Sequence, residues 1–166
     1  MANESVKIQA VSIIVSRGSL DGVYPGLILA QGARLEGIDV NLFFTSFGIH
    51  AVLKRTMNRL KVATVGNPAV RRSGGKGSPL PTWMGALPGM SGLATRKLKR
   101  AIAKVDLPPI PELLEMIHDA GGRLYACKTT LDMFDLRPAD LCPQINRALT
   151  VGEFYQVSAG AQILFT

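Results

Sequence analysis

EGIDVNLFFTSFG, residues 36–48, packs a helix stop, an apolar strand and a strand-end loop into one short run. Gly37 closes the helical run YPGLILAQGARLEG, since glycine most readily takes the left-handed conformation that ends a helix. From about Ile38 to Thr45 the chain is mainly apolar and reads as a buried strand. Upstream, KIQAVSIIV at residues 7–15 is rich in β-branched side chains and reads as another strand, followed by the turn SRGSLDG. Strand, helix and strand in this order require a parallel crossover. The same punctuation recurs in AGGRL, 120–124, and AGAQI, 159–163, where a glycine again ends a helix before an apolar run. Three such junctions predict an α/β protein: a single-domain three-layer sandwich whose central, mainly parallel sheet is flanked by helices.

The remaining elements follow from periodicity. HAVLKRTMNRL, 50–60, reads as a basic helix. SGLATRKLKRAIAKV, 91–105, reads as a helix with Leu93, Leu98 and Ile102 on its apolar side, and PELLEMIHDAGG, 111–122, as a helix that begins with proline and ends in glycine. Arg123–Cys127 is a third strand, with a short helix over Thr129–Phe134, a helical turn between Leu136 and Leu149, a helix in TVGEFYQVSAG and a last strand in AQILFT. Residues 66–90 hold ten Gly or Pro, which excludes both helix and strand and marks an insertion in a domain covering 1–166. Its Trp83, Met84, Leu87 and Met90 argue against a plain solvated linker. They are suited to pack on the body of the protein or on another subunit, and less well to lie on a membrane surface.

At 166 residues, 47% hydrophobic and 19% charged, the chain suits one packed domain rather than a disordered one. It has no apolar run of about 18 residues, and MANESVKIQA lacks the order of a secretory signal. Two cysteines cannot build a disulfide framework, so a reducing cytoplasm is the expected location. His50 and His118 stand alone, no CxxC occurs, GGKGS is not a phosphate-binding Walker loop and no GxGxxG follows a strand, so neither metal nor cofactor is expected. Charge is uneven. No acid occurs between Asp39 and Asp106, and the net +7 divides into +12 there and −5 elsewhere. Such a segment, with its bases between 54 and 104, either is a solvated face or meets something acidic. Nucleic acid is not the expected partner, because aromatic stacking platforms are sparse.

In parallel α/β sheets, reactive groups gather beyond the carboxyl ends of the strands. Three segments meet that condition: Ser16-Arg17-Gly18-Ser19, Thr45-Ser46-Phe47-Gly48 and Cys127-Lys128-Thr129-Thr130. Cys127 then sits at the start of a helix, where N–H groups and the charge of Lys128 would favour a thiolate, and Thr129 or Thr130 could cap the helix. Against this stands the plainer reading of a small core residue. His50 is placed either to assist a thiolate or on a helix surface. Cys142, in a connector before Pro143, is either a bland residue or the thiol that resolves an oxidised Cys127.

SRGSLDG…PGLILAQGA…EGIDVNLFFTSFG, then VGNP, LPGMSGLAT…KLK and LYACKTTLDMFDL, together resemble the DsrE/DsrF-like sulfurtransferases, in the branch with a long Gly/Pro/Met-rich insertion. The resemblance runs from about Val6 to Thr166. It implies an α/β sandwich, a homo-oligomer, and sulfane sulfur held as a cysteine persulfide and passed between carriers, often of the TusA type. The cysteine of the family's A-C-x-x-S/T signature falls on Cys127. Ser16, Arg17, Gly18, Thr45, Phe47, Gly48, Lys128, Thr129 and Thr130 are its expected supports, although Ser46-Phe47-Gly48 stands where the family often has Phe-Trp-Gly. Persulfide exchange calls for an exposed, low-pKa sulfur and no metal or acid–base dyad. The expected function is therefore sulfur carriage or sulfurtransferase activity through Cys127. The alternative is a non-catalytic assembly module that docks a protein complex or membrane surface through its basic 54–104 segment.

Overall fold

The structure, a computed structural model, describes residues 7–63, 90–104 and 106–166. Five strands form one all-parallel sheet: β1 (Ala10–Val15), β2 (Asp39–Phe44), β3 (Arg123–Cys127), β4 (Arg147–Leu149) and β5 (Gln162–Phe165), in the order β4-β3-β2-β1-β5. Helices α1 (Leu20–Leu35) and α3 (Ile110–Asp119) cover one face, and α5 (Val151–Val157) covers the other. The chain is thus the three-layer α/β sandwich that its junctions predict.

Side-chain alternation assigns the faces. Val11, Ile13, Val15, Leu42, Phe44, Leu124 and Ala126 point into the large core under α1 and α3. Phe43, Tyr125, Cys127 and Leu149 point the other way and pack with Phe154 of α5. The glycines of the three junctions, Gly37, Gly121 and Gly160, all have positive φ (73°, 87° and 76°), the geometry that ends each helix and feeds the next strand.

Several boundaries differ from the sequence reading. Helix α1 begins at Leu20 rather than Tyr24 and absorbs Pro25 in its second turn. The stretch expected as a helix at 50–60 is a 3₁₀ turn, Ser46–Ala51, followed by irregular turns. Burial explains this: Ile49, Ala51, Val52 and Leu53 are all fully buried, which a helix with one apolar side cannot achieve. Strand β4 replaces part of the helical turn expected before Leu149; that turn is confined to Pro138–Asp140. In α2 (Met90–Ala103), Leu98 and Ile102 pack on the core as expected, but Leu93 is 61% exposed and Ala94 takes the inward place. The insertion's Trp83, Met84 and Leu87 lie outside the described residues, as does the side chain of Met90.

Candidate functional site

Cys127 ends β3 and is also the N-cap of the six-residue helix α4 (Lys128–Met133). A residue in that position leaves the sheet extended and turns its side chain toward the N–H groups one turn ahead. The cysteine itself therefore holds the cap position expected of Thr129 or Thr130, and its side chain makes no capping hydrogen bond. Thr130 instead turns its hydroxyl to the loop after β2, where it lies 3.3 Å from Thr45 Oγ1 and accepts the Ser46 N–H at 3.0 Å. Ser46 holds φ at 47°, a left-handed conformation uncommon outside glycine.

The residue is 4% exposed, packed among Phe43, Tyr125, Leu149 and Phe154. The exposed sulfur expected for persulfide exchange is therefore not what the fold presents, because Cys127 points inward beneath α5. Burial raises the thiol pKa. The neighbouring polar groups of Thr130, Thr45 and Thr129 together outweigh burial and bring the thiol below its ordinary 9.0. With so short a helix, these neighbouring groups matter more than any accumulated dipole.

Of the remaining supports, Thr45 meets the Thr130 hydroxyl beside Cys127 and Thr129 is exposed, while the loop after β1 braces the loop after β2 from one strand away. Ser16 spends its hydroxyl on the Thr166 carbonyl (2.9 Å). Gly18 lies against the Phe47 backbone and Gly48 against the Val15 carbonyl, so neither position has room for a Cβ. Arg17 and Lys128 are exposed, and the charge of Lys128 helps lower the pKa of Glu153 rather than that of the thiol. Phe47 is 63% exposed, with its ring 5.9 Å from Phe134; the half-buried His50 ring lies 6.3 Å from Phe134. His50 thus belongs to an aromatic shelf beside the site. Cys142 packs in the α1/α3 core and donates its N–H to Val52, and burial pushes its thiol above 9.0. Both cysteines are free and lie in clusters on opposite faces of the sheet, so the structure does not bring them together.

Sequence reasoning placed Ser46 in a strand-end segment without giving it a role, and left Phe134 out of the site. Ser46 contributes through its main-chain N–H, which no residue type announces. Phe134 follows α4 directly, and the aromatic of LDMF, 131–134, was the available signal. The basic helix α2 leaves Arg96, Lys97, Lys99 and Arg100 exposed, and Lys104 just beyond it is exposed too. Lys99 lies near Leu20 and Ile110, the first residues of α1 and α3. This surface therefore shares the thiol's edge of the sheet but lies on its other face. Among the described residues, no three His, Cys, Asp or Glu side chains cluster to hold a metal, and no helix is long and apolar enough to cross a membrane.

A parallel α/β sandwich with one low-pKa thiol at a strand end defines a class of cysteine-bearing α/β protein. Residues 7–165 match the model of the DsrE/DsrF/DrsH-like family, and the chain belongs to that family. It is 36% identical over 138 residues to the sulfur carrier protein DsrE2 of Allochromatium vinosum, covering 83% of this chain and 86% of that protein. It is 25% identical over 156 residues to YrkE of Bacillus subtilis, covering 93% of this chain and 94% of that one. Among solved structures, the ychN protein of E. coli has a TM-score of 0.56 at 17% identity, over 96% of this chain and 100% of that one, a likeness of fold.

Proposed function

We propose that the protein carries sulfane sulfur as a persulfide on Cys127 and exchanges it with partner carrier proteins, as a sulfurtransferase. The observation that carries this reading is the placing of Cys127 where β3 ends and α4 begins, in a chain related to a sulfur carrier. In loading, the Cys127 thiolate attacks the terminal sulfur of a donor persulfide and the donor's thiolate leaves. In delivery, an acceptor thiolate attacks the terminal sulfur of Cys127–S–SH, the S–S bond breaks, and its electron pair returns to Sγ. The site's neighbouring polar groups stabilise the sulfur anion on which each half-reaction depends. No step requires a metal, a cofactor or a change of redox state.

Because Cys127 is buried, exchange proceeds through local opening. Its cover includes the seven-residue α5, in which Phe154 is the buried residue. The exposed bases of α2 suit docking of an acidic carrier of the TusA type. The apolar Tyr155, Ile163 and Phe165, exposed on or beside the face that carries α5, suit self-association. The test is transfer: persulfide-loaded protein is mixed with a TusA-type acceptor and both masses are followed. Loss of one sulfur from this chain with gain of one by the acceptor, absent in Cys127→Ser, supports the reading. Loading without any transfer to thiol acceptors contradicts it.

A further inference from the structure

Beside the edge strand β4 lies a cavity of about 300 Å³. That volume is at the lower end of the range for small-molecule sites. Pro138, Leu141, Pro143, Ile145 and Ala148 give it mainly apolar walls. Lys54, Asn146 and Arg147 bring donors to it, and no Asp or Glu lines it among the described residues. Main-chain bonds build the frame. Around the Leu53–Leu141 bridge, the Lys54 N–H donates to the Asp140 carbonyl (3.0 Å) and the Cys142 N–H to that of Val52 (2.8 Å). Asn146 is held twice by β3: its N–H reaches the Leu124 carbonyl at 2.8 Å, and its Oδ1 accepts the Leu124 N–H at 2.7 Å. The cations keep donors to spare. Lys54 spends one ammonium proton on the Ala139 carbonyl (2.8 Å), and Arg147 sets one N–H group 3.4 Å from Glu153 Oε1. Both side chains are exposed, so they stand where the cavity opens to water.

We propose that this cavity is a second binding site, apart from Cys127, for a small organic carboxylate, its anionic head on Lys54 and Arg147 and its apolar body against Leu141, Ile145 and Ala148. A carboxylate accepts charge-assisted bonds from both cations, and the Arg147 guanidinium suits its planar geometry. A bare inorganic anion fits less well, because apolar walls replace its hydration with nothing that bonds to it. An anion that carries hydrocarbon buries that part against the walls instead. Pro138, Pro143 and the main-chain bonds hold the frame in advance, which lowers the cost of ordering it around a guest. Cys142 in the cavity wall belongs to the cluster under α1 and α3, whereas Cys127 belongs to the cluster under α5. Binding here therefore needs neither sulfur transfer nor a reactive Cys127.

The test is a titration of backbone amide NMR shifts with benzoate and with benzamide, its uncharged analogue, for the native chain, Lys54→Met and Arg147→Met. Benzoate should move the Cys142, Asn146 and Ala148 amides saturably, and should bind roughly tenfold more tightly than benzamide, as expected for a hydrogen bond to a charged group. Each methionine variant should weaken benzoate by a similar factor and leave benzamide unchanged. No saturable shift at these three amides, or shifts centred elsewhere, overturns the site. Equal affinities for benzoate and benzamide overturn the part given to the cations, as does native benzoate affinity in both variants. Should a variant lose its native spectrum, the comparison of the two probes on the native chain still decides. The titration uses no sulfur donor, so a native protein that refuses sulfur would overturn the carrier reading alone.

Discussion

Gly48 lies so close to the Val15 carbonyl that a side chain cannot be placed there without moving one of the two backbones. The contact locks the loop after β2 onto the end of β1. That loop carries Thr45 and Ser46, which face α4 and the thiol. Gly48→Ala should therefore cost about 1–3 kcal/mol, the usual penalty for overpacking, in a urea titration. It should also slow Cys127 alkylation near neutral pH, because the Thr45 and Ser46 donors shift with the loop. Unchanged stability would show that the loop yields freely.

The ring of Phe154 stacks on Phe43 at 4.5 Å and closes α5 over the sulfur. Phe154→Ala should destabilise by about 3–5 kcal/mol. It should also raise the alkylation rate of Cys127 at fixed pH, since cover rather than pKa is what it removes. Tyr155→Ala, at a position 62% exposed, should change neither by much.

The two thiols should oppose each other in the pH dependence of stability. Cys127 titrates below 9.0 when folded, so its contribution is fully present above the unfolded value and is lost as pH falls through the folded value. Cys142 titrates above 9.0, so its contribution is present below the unfolded value and is lost as pH rises through the folded one. The stability cost of Cys127→Ser should grow between about pH 7 and pH 10, and that of Cys142→Ser should shrink over the same range. Denaturant titrations at the two ends of this range measure both.

The exposed bases on α2 lie on the face of the sheet opposite to the sulfur. Reversing Arg96, Lys97, Lys99 and Arg100 to Glu should thus leave sulfur loading intact while slowing association with an acidic carrier. The native rate should also fall steeply with added salt. Binding kinetics at two ionic strengths, beside a loading assay, separate the two effects.

Much of this architecture was legible before any coordinates, because its signals are local. Gly37, Gly121 and Gly160 end their helices in the conformation that glycine permits, and KIQAVSIIV and IDVNLFF carry the dense apolar pattern of buried strands. What escaped was set by distant contacts. Strand β4 has three residues and no apolar run, and it exists because Ala148 and Leu149 pair with Ala126 and Cys127. The segment around Val52 forms no helix because consecutive residues there are buried on all sides, Leu53 also bridging to Leu141. Cys127 could be placed at a strand end, but its burial depends on α5. The part played by Ser46 depends on a backbone angle that its residue type does not favour.

The most direct test of the account is intact mass after the reduced protein meets polysulfide, for the native chain beside Cys127→Ser and Cys142→Ser. The account predicts a reducible gain of about 32 Da per sulfur in the native and Cys142→Ser proteins and none in Cys127→Ser. An equal gain in Cys127→Ser, or no gain in the native chain, would contradict it and leave Cys127 a packing residue.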